Sequence, residues 1–171
     1  MELETILHYF TEYGPFAIYV IVLLEYLNLP GFPAGVIMPL AGVFAAQGRI
    51  GFIETIVITV LAGLTGSIAL YALGRYGGGV LLEKYFKRFP GQRALIEEKM
   101  TYLKEKGCAG VFVSKLMPVV RTLISIPAGV IKMNFRKYCF SSALGVAIWN
   151  FVFVGAGYFF GDKMLGYLQQ I

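Results

Sequence analysis

Apolar residues in this chain fall into long blocks separated by short polar stretches. Two blocks are clean. Residues 52–74, FIETIVITVLAGLTGSIALYALG, and residues 138–160, YCFSSALGVAIWNFVFVGAGYFF, are each long enough to cross a bilayer as a helix at 1.5 Å per residue. Gly63, Gly66 and Ser67 give the first of them a small-residue surface for close helix packing. Two other blocks are broken. Residues 14–29 carry Glu25, and residues 30–48 are punctuated by Pro30, Pro33 and Pro39 with Gly31, Gly35 and Gly42. The uncharged run from Phe32 to Ala46 is short for a spanning helix, so a re-entrant hairpin is predicted. Residues 108–131, CAGVFVSKLMPVVRTLISIPAGVI, have the length of a span but carry Lys115, Arg121, Pro118, Pro127 and Gly129. Charge at the bilayer centre costs roughly 2.5–3.5 kcal/mol on insertion scales, and interior proline about 3 kcal/mol. Such a segment is predicted to fold back within the protein, with its charges facing a wet cavity.

Residues 80–106 are the one strongly polar stretch. Leu82, Tyr85, Phe86 and Phe89, and then Ile96, Met100 and Leu103, recur at helical spacing on either side of Pro90–Gly91. They predict two amphipathic helices on the membrane surface, with Lys84, Lys87, Arg88, Arg93, Lys99, Lys104 and Lys106 solvated or facing lipid head groups. Residues 1–13 predict a short interfacial helix. The expected fold class is an all-α polytopic membrane protein forming one domain over residues 1–171. Its first half is 1–79, its basic linker 80–106 and its second half 107–171.

The halves repeat loosely. Pro39-Leu-Ala-Gly42 returns as Pro127-Ala-Gly129, and Tyr71-x-x-Gly74-Arg75 as Tyr158-x-x-Gly161-Asp162, at offsets of 88 and 87 residues. Each half reads as a broken hairpin and then a spanning helix. If each hairpin returns to its own side, eleven Lys or Arg share one face, and Arg49 and Lys163 lie on the other. Positive residues favour the cytoplasm, so the linker is predicted cytoplasmic, and the hairpins form an inverted repeat entering from opposite faces.

Composition agrees with this pattern: 57% of residues are hydrophobic. The net charge of +5 comes from clustered basic residues beside apolar blocks, which points to orientation and anionic lipid, with no nucleic-acid partner. Cys108 and Cys139 form no metal or redox spacing and read as reduced packing residues. His8 is the only histidine, leaving zinc sites and histidine-based acid–base catalysis almost nothing to work with. No enzyme activity, metal or cofactor is therefore expected. The pattern is compatible with a homo-oligomer.

The chemistry then rests on Glu25, Lys115 and Arg121. One reading is a buried ion pair that fixes two hairpins together; such a pair adds little net stability, because desolvation offsets attraction. The other is a substrate pocket. Arg121 would bind a phosphate through its planar fork, Lys115 would support it, and Glu25 would compete for the cations or take up a proton. Pro30, Pro33, Gly35, Pro39, Gly42, Pro118, Pro127 and Gly129 are expected to set the hairpin backbones. Trp149 is expected to pack, and Arg75 to anchor an interface, both secondary as ligands. Four functions compete on these residues: a lipid transporter, a proton-coupled small-solute transporter, a membrane enzyme such as a lipid phosphatase, and a structural protein.

At these residues the sequence resembles the DedA family of bacterial membrane proteins with a VTT (SNARE-associated) domain. The matching pieces are LEYLNLPGFPAGVIMPLAG at 24–42, YALGRYGG at 71–78, KLMPVVRTLISIPAG at 115–129, and Trp149 with GYFFG at 157–161. The resemblance implies two opposed re-entrant hairpins and lipid transport in the bacterial cytoplasmic membrane. The substrate class it implies is undecaprenyl phosphate, an anionic lipid phosphate, with phosphatidylethanolamine as the alternative. It aligns Glu25 with the family's first acidic position and Arg121 with its second arginine. Gly35 stands where an acidic residue is frequent, and Lys115 replaces the first arginine. The lysine keeps the charge but loses bidentate geometry, which makes a zwitterionic or differently shaped lipid more plausible.

Overall fold

The computed structural model describes residues 3–27, 35–118 and 120–168, and these are helical with no strand among them. Eight α-helices follow in order: α1 (Leu3–Tyr26), α2 (Ile37–Ala46), α3 (Phe52–Tyr76), α4 (Gly78–Arg88), α5 (Arg93–Lys115), α6 (Val120–Leu123), α7 (Ser125–Val130) and α8 (Phe135–Leu168). A 3₁₀ turn at Pro90–Gln92 separates α4 from α5, at the expected Pro90–Gly91 break. Pro30 and Pro33 lie outside the described residues.

Two of these helices are long and apolar enough to cross a membrane. They are Phe52–Tyr76, with mean hydropathy 2.1, and Phe135–Gly161, with mean hydropathy 1.7. Both match the blocks read from sequence, although the backbone of α8 runs on to Leu168, through what the sequence presents as a short tail. On α3, the large apolar residues Ile53, Val57 and Leu61 are exposed at every fourth position, while Thr55, Thr59 and Ser67 are buried. On α8, Phe140, Leu144, Ile148 and Val152 are exposed in the same spacing, and Ser141, Ser142 and Asn150 are buried. Apolar stripes facing out over polar residues facing in suit a hydrocarbon surrounding.

Helices α1 and α5, in the segments predicted as hairpins, are each divided for a reason visible in the backbone. Helix α1 is interrupted at Gly14 (φ 53, ψ −130), and α5 at Gly107 (φ 57, ψ −132). Positive φ with strongly negative ψ is a conformation that in practice only glycine adopts. Beyond each glycine a separate helical limb begins. The limb after Gly14 starts on Pro15, whose missing N–H falls where no intrahelical partner exists. This limb is about 18 Å long and its counterpart after Gly107 about 12 Å, against a hydrocarbon core of about 30 Å. The first segment of α1 ends at the boundary expected for the short N-terminal helix, and the second amphipathic helix of the linker runs up to Gly107. Pro39 and Pro127 sit in the first turns of α2 and α7 and so start these helices without breaking them.

The chain divides into two compact units: Met1–Gly63 with Ala147–Ile171, and Leu64–Val146. In the first unit, Gly42 of α2 lies against α8. A Cβ there would meet Val154 O, and would come within 2.8 Å of Tyr158 N; Gly157 faces the Pro39 carbonyl in return. Phe52 closes the same packing against Tyr158, with ring centroids 4.9 Å apart. In the second unit, Gly129 of α7 lies against α3. A Cβ there would meet Tyr71 O, and would come within 2.8 Å of Arg75 N; Gly74 faces the Ile126 carbonyl in return. Its core gathers Tyr71, Leu103, Val111, Val120, Ile124, Ala128 and Tyr138, with the two tyrosine rings stacked at 4.4 Å. Phe86, Ile96 and Leu103 of the linker helices are buried and their basic residues largely exposed, as their spacing predicts.

These seats correct the register read from sequence. By packing, Gly74 corresponds to Gly157, where the sequence match pairs it with Gly161. The slip of four residues is close to one helical turn, so the same face is kept. In their own seats, the glycine, not the tyrosine, is the residue that close backbone approach demands.

Candidate functional site

The expected charged residues are all buried. In the first unit, Glu25 is 3% exposed near the end of α1, and its Oε1 accepts a hydrogen bond from the Gly35 backbone N–H at 3.3 Å. The hairpin backbone therefore holds the carboxylate at the position where the family resemblance would place a second acid. Its neighbour Tyr26 donates to Asn150 Oδ1 at 3.2 Å, and both residues are buried. Trp149 stacks on Phe153, with ring centroids 4.3 Å apart.

In the second unit, Lys115 and Arg121 are both 0% exposed. Lys115 ends α5, where its Nζ donates to Ser67 Oγ at 2.8 Å and to Ser125 Oγ at 3.1 Å. Ser67 comes from α3 and Ser125 opens α7, so the ammonium joins both limbs of the hairpin to the long helix. Gly145 makes room for its stem, since a Cβ there would lie 2.5 Å from Lys115 Cβ. Tyr138 completes the seat by donating to the Ser67 carbonyl at 2.9 Å. Arg121 lies in the single-turn helix α6, after the turn containing Pro118, and its backbone N–H bonds to Met117 O at 2.9 Å. Burying such side chains is costly unless hydrogen-bond partners, an opposite charge or fixed dipoles answer them.

Arg75 ends α3 and is also more than a surface charge. Its Nη1 donates to Tyr71 Oη at 2.6 Å and to the Met133 carbonyl at 3.2 Å, and Tyr71 Oη bonds to that same carbonyl. The side chain thus ties the helix end to the turn that leads into α8.

Ser67, Ser125, Tyr138, Tyr26 and Asn150 are the residues that sequence reasoning missed. Ser67 was legible as a small residue, yet it serves as a hydroxyl acceptor for a buried cation. Asn150 stood as the one amide in an uncharged span, and that rarity was the available signal.

The VTT domain family matches residues 29–159. Undecaprenyl phosphate transporter A of Bacillus subtilis (strain 168) is 34% identical over 131 residues, covering 77% of this chain and 66% of that protein. YkoX, an uncharacterised membrane protein of the same organism, is 33% identical over 140 residues, covering 80% and 62%. Protein DedA of Escherichia coli (strain K12) is 24% identical over 158 residues, covering 88% and 71%. The chain therefore spans a little under two thirds of the length of the first two relatives. No solved structure matches it. With most of its residues inside the match, the chain belongs to the VTT domain family and is a DedA family membrane protein.

Proposed function

We propose that this chain is a membrane transporter that carries a phosphate-bearing lipid across the bacterial cytoplasmic membrane, with undecaprenyl phosphate as the leading substrate. The observation that carries this reading is the complete burial of Lys115 and Arg121 in a hairpin built from helices too short to cross. The similarity to undecaprenyl phosphate transporter A of Bacillus subtilis supports the substrate class. On this reading the hairpins are re-entrant, the sequence halves form an inverted repeat, and the basic linker is cytoplasmic. Arg121 offers its planar fork to the phosphate. Lys115, committed to Ser67 and Ser125, adds field and holds the hairpin in shape. Glu25 takes up and releases a coupling proton, which changes its hold on the Gly35 amide. The head group moves through the hairpin region while the isoprenoid tail stays in the bilayer.

A second reading has a specific observation behind it. Gly35 offers only a backbone amide, and that amide is bonded to Glu25. With one carboxylate at this place and a lysine at 115, a zwitterionic head group such as phosphatidylethanolamine also suits the site.

The test is translocation in vesicles containing purified protein. Labelled undecaprenyl phosphate and phosphatidylethanolamine are compared, for wild type and Arg121→Ala, with and without a pH gradient. Arg121-dependent movement of the carrier lipid is the expected result. Movement of phosphatidylethanolamine alone selects the second reading. Normal transport by Arg121→Ala overturns the site, and movement of neither lipid turns attention to a proton-coupled small solute.

A further inference from the structure

The turn that leads from α7 into α8 carries a feature that transport through the hairpin does not use. Helix α7 ends in a full glycine-type cap: Lys132 N–H bonds to Gly129 O at 2.9 Å and Met133 N–H to Ala128 O at 3.1 Å. The residue that must turn left-handed here is Lys132, at φ 52, and it is the one described non-glycine residue with positive φ. The matching turn after α2 places Gly48 at φ 74, with its N–H bonded to Ala45 O at 3.0 Å. The backbone task is the same, and glycine performs it without a Cβ penalty. A lysine in a conformation that favours glycine points to a task for its side chain.

The surroundings say what that task is. Lys132, Arg75, Arg136, Asn134 and Phe135 line a 540 Å³ cleft, and no carboxylate is among them. Arg75 is held in place by Tyr71 and the Met133 carbonyl, so its charge is fixed before anything binds. Asn134 Oδ1 accepts from the Lys137 N–H at 3.2 Å and caps α8, a helix of 34 residues, whose first amides and dipole add to the positive potential. Arg136 is shared with an adjoining 460 Å³ groove lined by Cys108, Lys137, Phe140 and Ser141. Phe140 is 74% exposed and Phe135 47%. A cationic cleft that continues into a groove with an exposed aromatic wall matches an amphiphile with an anionic head and an apolar tail. A free anion would use only the first part.

We propose that this cleft is a second lipid site, in which Lys132, Arg136 and Arg75 hold the phosphate of a membrane lipid while its chain lies along Phe140. It deepens the transport reading and rests on it for its purpose: a phosphate-bearing lipid docks here at the membrane surface, apart from the Arg121 site. The recognition itself is a binding property and is tested separately from transport.

The experiment uses the full chain in phosphatidylcholine nanodiscs, titrated calorimetrically with dioctanoyl phosphatidic acid and, in parallel, with inorganic phosphate. Lys132→Gly removes the ammonium while relaxing the backbone, and Arg136→Gln removes the shared cation. Each is expected to weaken phosphatidic acid binding about tenfold. The unfolding temperature of Lys132→Gly should equal or exceed that of wild type. Arg121→Ala should retain the binding, whatever happens to its transport. The proposal is overturned if both cleft variants bind like wild type, or if Arg121→Ala alone abolishes binding, which would assign it to the hairpin. Equal affinity for inorganic phosphate would overturn the lipid assignment, and a lower unfolding temperature for Lys132→Gly would make the lysine structural.

Discussion

The two segments read as hairpins, α1 with α2 and α5 with α6 and α7, use the same backbone devices for different chemistry. Each begins at a glycine with nearly the same dihedral angles, Gly14 and Gly107. Each seats one glycine against the backbone of a long helix, Gly42 on α8 and Gly129 on α3. Each ends in a left-handed residue, Gly48 and Lys132. Where the chemistry is chosen, they part. The first hairpin buries a carboxylate bonded to a backbone amide, and the second buries two cations, one of them held by serines. The glycines thus answer to geometry, whereas the transport proposal gives the charged residues to a ligand, and substitutions should separate the two classes.

The largest contrast is expected between the charged residues. If Arg121 is the phosphate ligand proposed above, Arg121→Ala removes one partner of a buried charged contact, at a cost of about 2–5 kcal/mol, enough to abolish measurable transport in vesicles. Arg121→Lys keeps the charge and should recover part of the rate. Glu25→Gln keeps the shape of the first hairpin and should leave transport independent of a pH gradient. If Glu25→Gln and wild type respond alike to the gradient, the division of labour between the hairpins is wrong.

The next contrast should be absent, which is what makes it informative. Gly14→Ala and Gly107→Ala force a Cβ into a conformation closed to it, at a cost of about 1–3 kcal/mol. Gly42→Ala and Gly129→Ala push a Cβ into a backbone carbonyl, for a comparable cost of about 1–3 kcal/mol. Within each pair the losses should agree when unfolding is followed in detergent. A large loss at one member and none at its partner would break the equivalence of the hairpins.

How much of this was legible beforehand follows the same division. Runs of apolar residues long enough to span are written directly in sequence, and so residues 52–74 and 138–160 correspond closely to Phe52–Tyr76 and Phe135–Gly161. Prolines and charges inside apolar blocks marked the broken segments, but Lys115 and Arg121 have no exposed surface and Glu25 very little, where the sequence reading set the charges of residues 108–131 against a wet cavity. Gly14 and Gly107 were not singled out, because a glycine at positive φ has the same letter as one inside a helix. The four-residue slip in the repeat has a similar cause. Letters matched Tyr71 with Tyr158, but packing follows the helix face, and a face recurs every turn. The seat of Lys115 depended on tertiary packing that brings Ser67 of α3 and Ser125 of α7 to one ammonium, which no local pattern encodes.

The smallest effect tests the comparison most finely. Gly48 and Lys132 occupy matching left-handed caps, yet only the lysine already bears the strain of a side chain there. Gly48→Ala should therefore cost about 1 kcal/mol, because the new Cβ meets its own backbone and gains no contact: open space surrounds the position. Lys132→Ala should cost much less, since the strain remains and only an exposed ammonium is lost. Equilibrium unfolding of both variants, measured side by side, decides between two accounts of the second turn. Unequal losses mean that the lysine is kept for what it binds. Equal losses mean that its side chain repays the strain within the folded chain, and the asymmetry between the turns then belongs to stability.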